Sequence, residues 1–168
     1  MSGLIQQSFS DLHTAKLVWR FRSEDDLAIN RTCYSLQQSV EKSLKFLIEI
    51  KGSDYPYTHD IKNLLDKVSA LGLHAEILTK LESYAEAMTD WETRSRYADD
   101  FCALRSKVED VMVLAQELLD YAKTFAVPDI PDGAIEWCRK YAPSLCKDYA
   151  DEDLWAAMKT VYYKEHQK

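Results

Sequence analysis

The apolar residues of segment 98–127 recur at alternating steps of three and four, and this spacing restricts the fold more than any other feature of the sequence. The series consists of Phe101, Leu104, Val108, Val111, Ala115, Leu118, Ala122 and Phe125. A 3.5-residue apolar repeat sustained over this length is typical of a long helix that packs at a shallow angle against its neighbours. Pro128 and Pro131 end the pattern. The segment therefore predicts one long helix of a helical bundle.

Helical periodicity continues through most of the remaining chain, and no stretch alternates with period two for long enough to predict a strand. We predict helices at about residues 7–21, 24–51, 59–71 and 74–90. Ser23 and Thr58 are the expected N-caps of the second and third helices, and Gly52 and Gly72 are expected to end them. Segment 90–97 breaks the apolar rhythm, so we predict an irregular connection there.

The length and composition divide the chain into a bundle, residues 1–127, and a C-terminal helical extension, residues 128–168. In the extension, Asp132 is the expected cap of a short helix, and a last helix is expected to begin at Asp151. The extension is too rich in aromatic residues for a solvated tail. We expect it to pack on the bundle or on a second subunit. The predicted fold class is thus all-α.

Charge and composition exclude several classes of function. The net charge is −7 and no block of the chain is basic overall. This composition argues against an extended basic surface that binds duplex nucleic acid, but it is compatible with a local basic pocket. No apolar run is long enough to cross a bilayer, and the N-terminus lacks the pattern of a secretion signal. The scattered cysteines predict buried thiols in a reducing cytoplasm, and the dispersed histidines predict no metal site and no cofactor.

A polar stripe on the second helix is the first candidate for function. Gln38, Glu41, Lys42 and Lys45 fall on one side, opposite an apolar side, so the stripe is expected to face water or a partner. In one interpretation, Glu41 and Lys45 form an ordinary surface ion pair. In the other, the two lysines bind a phosphate together with His59, which the next turn supplies.

Two further groups have alternative interpretations. His59, beside Asp60, either contributes to an anion site or simply caps or packs against the next helix. Arg94 and Arg96 lie next to aromatic residues, where arginines bind phosphate while a ring stacks on a base. The alternative is that these arginines pair with the many neighbouring acids. Neither pattern decides between its two interpretations.

Three separated motifs together resemble a HEPN domain. They are Gln37-Gln38-Ser39-Val40-Glu41-Lys42-Ser43-Leu44-Lys45, then Thr58-His59-Asp60-Ile61 with Leu64-Leu65, then Arg94-Ser95-Arg96-Tyr97. Their order and spacing fit the family over residues 8–127. The resemblance implies an up-and-down bundle of four to five helices that usually dimerises, with a role in nucleotide or RNA chemistry. The family positions that match are Glu41, Lys42, Lys45, His59, Asp60, Arg96 and Tyr97.

The resemblance also implies a cellular setting. Many members are prokaryotic and work beside a minimal nucleotidyltransferase, often as toxin and antitoxin. Some are metal-independent ribonucleases that use Arg-x(4–6)-His at the dimer interface, and no arginine of this chain precedes a histidine at that spacing. The family pattern therefore argues against catalysis.

Three hypotheses follow from the residues and the resemblance. In the first, the chain binds a nucleotide or RNA, with phosphate held by Lys42, Lys45, His59 and Arg96 and with Tyr97 stacked on a base. In the second, it is a ribonuclease whose catalytic groups are His59 with Arg94 or Arg96. In the third, it is an interaction module in which Glu41 and Asp60 belong to a structural polar network.

Overall fold

A computed structural model describes residues 3–22, 26–97, 103–126, 130–143 and 150–166, without the side chains of residues 26, 95–97, 152, 153, 156, 160 and 163. Every regular element in these stretches is a helix. They are α1 (Gly3–Phe21), α2 (Asp26–Ile50), α3 (Ile61–Ala70), α4 (Glu76–Glu82), α5 (Ala85–Tyr97), α6 (Arg105–Lys123), α7 (Ala134–Tyr141) and α8 (Asp151–His166). The predicted all-α helical bundle is confirmed. The chain forms two compact units, Ser2–Ala126 and Val127–Lys168.

Helix α2 is the centre of the first unit, because α1, α3, α5 and α6 all pack against it. Its predicted apolar side is buried, as expected for Leu36, Val40 and Leu44. The prediction for its polar side is wrong, since Glu41 and Lys45 are also buried. A helix that is surrounded on several sides leaves little surface for solvent, so polar residues on its second side must find partners inside the protein.

Hydroxyl groups join α1 to α2 inside the bundle. The Ser8 hydroxyl donates to the Ser39 carbonyl oxygen at 2.8 Å, and the Ser43 hydroxyl lies 2.7 Å from the Ser8 oxygen. All three serines are buried. Their small side chains allow the two helices to approach closely, and the hydrogen bonds satisfy the buried oxygens. Near them, Lys42 of α2 pairs with Asp11 of α1.

The predicted irregular connection at 90–97 is instead the second part of α5. Ala85, Met88 and Trp91 continue an apolar series at steps of three, and all three are buried. The series is hard to recognise in the sequence because Glu92, which is also buried, occupies the next inward position. The predicted continuous helix at 74–90 is wrong as well, since Ser83 and Tyr84 separate α4 from α5.

The long helix predicted at 98–127 corresponds to α6, which begins at Arg105. Val108, Val111, Ala115, Leu118 and Ala122 are buried, as the 3.5-residue repeat predicts. Leu104 precedes the first turn and is 70% exposed, so its predicted place in the apolar series is wrong. The backbone of Leu104 is extended, which directs its side chain away from that series. Phe101 lies outside the described residues.

Caps differ from the predictions at two helices. Asp60, rather than Thr58, caps α3 by accepting a hydrogen bond from the Asn63 amide at 3.1 Å. Thr58 instead accepts from the Asp60 amide, which fixes the turn before the helix. Gly72 has a φ of +79° at the end of α3, a conformation that suits glycine and agrees with its predicted role. The predicted N-cap of α2, residue 23, lies outside the described residues.

The second unit consists of α7 and α8, which pack through Ala134, Cys138, Leu154, Trp155 and Met158. Gly133, with no side-chain hydrogen bond, occupies the N-cap position of α7 that was predicted for Asp132. The contacts of this unit with the bundle or with a second subunit stay a prediction. No helix in the described part of the chain is long and apolar enough to span a membrane.

Candidate functional site

The buried carboxylate of Glu41 is the centre of a polar network in the first unit. Its side chain is 5% exposed and accepts hydrogen bonds from three directions. Gln37 donates to Oε2 from Nε2 at 2.8 Å, and Lys45 donates to Oε1 from Nζ at 2.8 Å. Nδ1 of His59 lies 3.0 Å from Oε2. Both oxygens of the buried acid are therefore satisfied.

Helix geometry and one turn assemble this network. Gln37, Glu41 and Lys45 are spaced by four residues and so lie on the same side of α2. Gln38 donates to Gln37 Oε1 at 2.8 Å, which directs the Gln37 amino group toward Glu41. The loop that follows α2 brings His59 back to this side, where Gln37 Nε2 also lies 3.5 Å from the His59 carbonyl oxygen. The spacing along α2 and the loop that follows it thus bring Glu41 and His59 into contact.

The environment of Glu41 favours its charged form. Burial raises the pKa of the carboxyl group, but the hydrogen bonds from Lys45, His59 and Gln37 outweigh burial and bring the pKa below its ordinary value of 4.5. Glu41 is therefore an anion at neutral pH, and the adjacent Lys45 ammonium group balances its charge. The predicted Glu41–Lys45 ion pair is present, although it is buried and not on the surface.

His59 connects the buried network to solvent. Its side chain is 54% exposed while Nδ1 contacts the Glu41 carboxylate. Because a carboxylate can only accept, Nδ1 must carry the proton in this contact. No residue that the structure describes forms a hydrogen bond with Nε2. Nε2 accordingly has a lone pair in the neutral ring and an N–H donor in the protonated ring.

Comparison with known proteins identifies the family of the chain. The model of the HEPN domain family matches residues 1–125, which is most of the chain. The chain belongs to the HEPN domain family. The predicted resemblance is confirmed, and the match supports a nucleotide- or RNA-related module at the level of the family. The comparisons found no match to a curated protein and no match to a solved structure.

The residues predicted for the HEPN site fall into separate groups in the structure. Glu41, Lys45 and His59 come together in the network, whereas Asp60 caps α3. Lys42 pairs with Asp11 of α1, so its role in phosphate binding stays a prediction. Arg94, with an exposed side chain, lies in α5.

Two further predicted residues of the site lie in α5. Arg96 and Tyr97 belong to the last turn of α5, but their side chains lie outside the described part of the chain. Their proposed contacts with phosphate and base remain predictions. Among the residues that are described, no three His, Cys, Asp or Glu side chains gather in a way that could hold a metal ion.

Three residues in or near the polar network of Glu41 were not among the predicted site residues. Gln37 lies four residues before Glu41, and this spacing could have indicated a shared side of the helix. Tyr55 is 41% exposed, and the Lys45 ammonium nitrogen lies 5.5 Å from the centre of its ring. Tyr57 is fully exposed. The signal for both tyrosines was available, since Tyr-Pro-Tyr directly precedes Thr58 and His59.

Proposed function

We propose that this HEPN protein binds a nucleotide or RNA, with a phosphate group at His59. The observation that carries the proposal is a half-exposed imidazole whose Nδ1 is held by a buried carboxylate. This contact fixes the ring, so a ligand that binds at Nε2 does not have to order it. The family match supports a ligand related to nucleotides or RNA.

Each residue of the network has a role in this proposal. With a proton on both ring nitrogens, His59 donates from Nε2 to a phosphate oxygen and from Nδ1 to Glu41, which holds the ring in place. Lys45 neutralises Glu41, which prevents the buried acid from repelling the phosphate. Lys42, Arg96 and Tyr97 are retained as proposed contacts with the phosphate and the base.

Calorimetric titration with ATP, GTP and a short RNA tests the proposal. Replacement of His59 by alanine should weaken binding by about 10- to 150-fold, the loss expected for a hydrogen bond to a charged group. His74→Ala is the matched control, because His74 is also exposed but lies in the loop between α3 and α4. Absence of heat at millimolar ligand, or equal effects of the two substitutions, would contradict the proposal.

The same geometry supports ribonuclease activity as a second candidate. A carboxylate that orients a histidine through Nδ1 prepares Nε2 to act as a general base. This candidate predicts cleavage of single-stranded RNA in the presence of EDTA, with loss of cleavage in His59→Ala and in Glu41→Gln. Intact RNA after prolonged incubation with concentrated protein would leave binding as the better description.

A homodimer is also part of the proposal, with α1 at the interface. Phe9, Leu17 and Phe21 are exposed on α1, and Leu17 and Phe21, which are four residues apart, are neighbours on its surface. Basic Lys16, next to Leu17 in the sequence, and acidic Glu109 line a common groove of α1 and α6. A two-fold related copy can therefore match apolar with apolar and basic with acidic groups. Light scattering should show a dimer that becomes monomeric in Leu17→Glu, and an unchanged mass would contradict this interface.

The family resemblance favours a cytoplasmic setting beside a minimal nucleotidyltransferase in a prokaryotic toxin–antitoxin pair. The neighbourhood of the coding sequence tests this setting directly. A nucleotidyltransferase reading frame next to it, and co-purification of the two products, would support the pairing. Unrelated neighbouring frames would count against it.

A further inference from the structure

We propose that Tyr55 and Tyr57 form a platform on which bases of a single-stranded RNA stack, next to the phosphate at His59. This tyrosine platform rests on the proposed function, because it names the class of ligand that the His59 site takes. It also assigns a role to two side chains that the buried network does not explain.

Tyr57 is the principal side chain of the platform. Its side chain is fully exposed, so packing within the described part of the chain does not account for a large aromatic residue there. A tyrosine ring offers a large, fairly rigid apolar surface, and a base that stacks on it removes that surface from water. The exposed ring is therefore better matched to a ligand than to the fold.

The backbone fixes Tyr57 relative to His59. Pro56 restricts the residue before it and has a fixed φ of its own. The Thr58 amide donates to the Pro56 carbonyl oxygen at 2.9 Å, which makes a tight turn centred on Tyr57. Two residues span at most about 7 Å, so a nucleotide with its phosphate at His59 can reach the Tyr57 ring with its base.

Tyr55 supplies a second, more firmly held ring. The Lys45 ammonium nitrogen lies 5.5 Å from the centre of the ring, which is within the range of a cation–π contact. The ring nevertheless remains 41% exposed. Two rings on either side of Pro56 can accept two bases, so the platform favours an oligonucleotide over a mononucleotide.

The charges around the platform indicate that stacking dominates the affinity. Exposed Lys51 is offset in the same loop by exposed Asp54 and Asp60, and the whole chain has a net charge of −7. Few phosphates are therefore neutralised on binding. Since each neutralised phosphate of a single strand contributes about −0.7 to the slope of log K against log salt, we expect a slope of about −1 or shallower. A duplex, whose bases are already stacked and paired, should bind poorly.

Fluorescence anisotropy with the whole 168-residue chain tests the inference. The probes are a labelled ten-nucleotide RNA and an oligonucleotide of equal length that lacks bases. Tyr57→Ala should weaken binding of the RNA by about 5- to 150-fold, the loss expected for one stacked base. Tyr57→Phe, which retains the ring, should bind within about twofold of the wild type. Tyr141→Ala is the matched control, because Tyr141 is an exposed tyrosine of the other unit.

The results separate this inference from the proposed function. The inference is supported if the probe without bases binds wild-type protein weakly and is insensitive to Tyr57→Ala. If Tyr57→Ala binds RNA like the wild type while His59→Ala does not, the platform is refuted and the phosphate site is retained. A slope steeper than about −3 would also refute a stacking ligand. Absence of RNA binding by the wild type would refute the platform, and absence of ATP and GTP binding as well would refute the phosphate site.

Discussion

Replacement of Glu41 by glutamine gives the most direct measure of the buried network. The substitution keeps the size and shape of the side chain but removes its negative charge. Lys45, with only 11% of its side chain exposed, then loses its counter-ion, and His59 loses its carboxylate. We expect a large loss of stability because the ammonium group that remains is both charged and buried.

The magnitude follows from the contacts. Removal of one partner from a buried ion pair costs about 3–5 kcal/mol. Two features keep the loss at the lower end of this range. The amide oxygen of the new glutamine can still accept one hydrogen bond. Because His59 is partly exposed, its contact with Glu41 contributes only about 0–1 kcal/mol to the free energy of unfolding. We expect a loss of about 3 kcal/mol in the free energy of unfolding. For a chain of 168 residues this corresponds to a decrease in Tm of about 6–12 °C.

The loss of stability in Glu41→Gln should become smaller as the pH falls. The folded protein holds the pKa of Glu41 below 4.5, so the carboxylate stabilises the fold at pH values above the unfolded pKa. That stabilisation is lost as the pH falls through the lowered pKa of the folded state. Urea denaturation of both proteins between pH 3 and 8 should therefore show a constant difference near neutrality that shrinks below about pH 4.5.

A matched control separates burial from ion pairing. Glu76 and Lys80 have the same order and spacing as Glu41 and Lys45, with a nitrogen–oxygen distance of 3.1 Å, but both are exposed. Glu76→Gln should cost no more than about 1 kcal/mol. If Glu41→Gln costs as little as the control, or if its cost does not change with pH, the account of the buried network is incorrect.

Three smaller predictions concern the fold. Asp60→Ala should lower stability by about 1 kcal/mol in urea denaturation, since Asn63 loses the acceptor for its amide, whereas no change would contradict the observed cap. Trp91→Ala should cost about 3–5 kcal/mol, because the ring is buried on α5, and a loss below 1 kcal/mol would favour the irregular connection. Gly72→Ala should cost about 1–2 kcal/mol through its φ of +79° alone, since no atom blocks the added methyl group, and Gly72→Asn should cost less.

Periodicity predicts most helices of this chain, because a helix side that is buried against its neighbours produces a regular spacing of apolar residues in the sequence. Val108 to Ala122 illustrates this success. The failure at α5 has a physical cause: Glu92 is buried, and a charged residue at an inward position interrupts the apolar pattern. Local propensity cannot indicate that tertiary packing tolerates such a residue.

The candidate site was predicted only in part, because sequence spacing indicates which residues are neighbours on a helix but not which of them other helices cover. Spacing alone indicated that Glu41 and Lys45 pair, and the order of motifs indicated that a turn supplies His59. Spacing could not show that α2 is surrounded by four helices, and so it suggested an exposed stripe instead of a buried pair. Lys42 pairs with Asp11 of α1 instead of joining Glu41, Lys45 and His59. This difference also depends on which helix packs on which side of α2.

The network serves the fold and the proposed ligand through the same carboxylate, and a double substitution can separate the two roles. In Glu41→Gln with Lys45→Met, the unpaired buried charge is replaced by an apolar side chain of similar length, so most of the lost stability should return. The His59 ring would still lack its carboxylate. Because Lys45→Met also removes the cation beside the Tyr55 ring, Lys45→Met alone is the control. If RNA binding stays weak in the stable double variant but not in this control, Glu41 acts by positioning His59 and not merely by maintaining the fold. If binding returns together with stability, Glu41 serves the fold and is not needed to position His59.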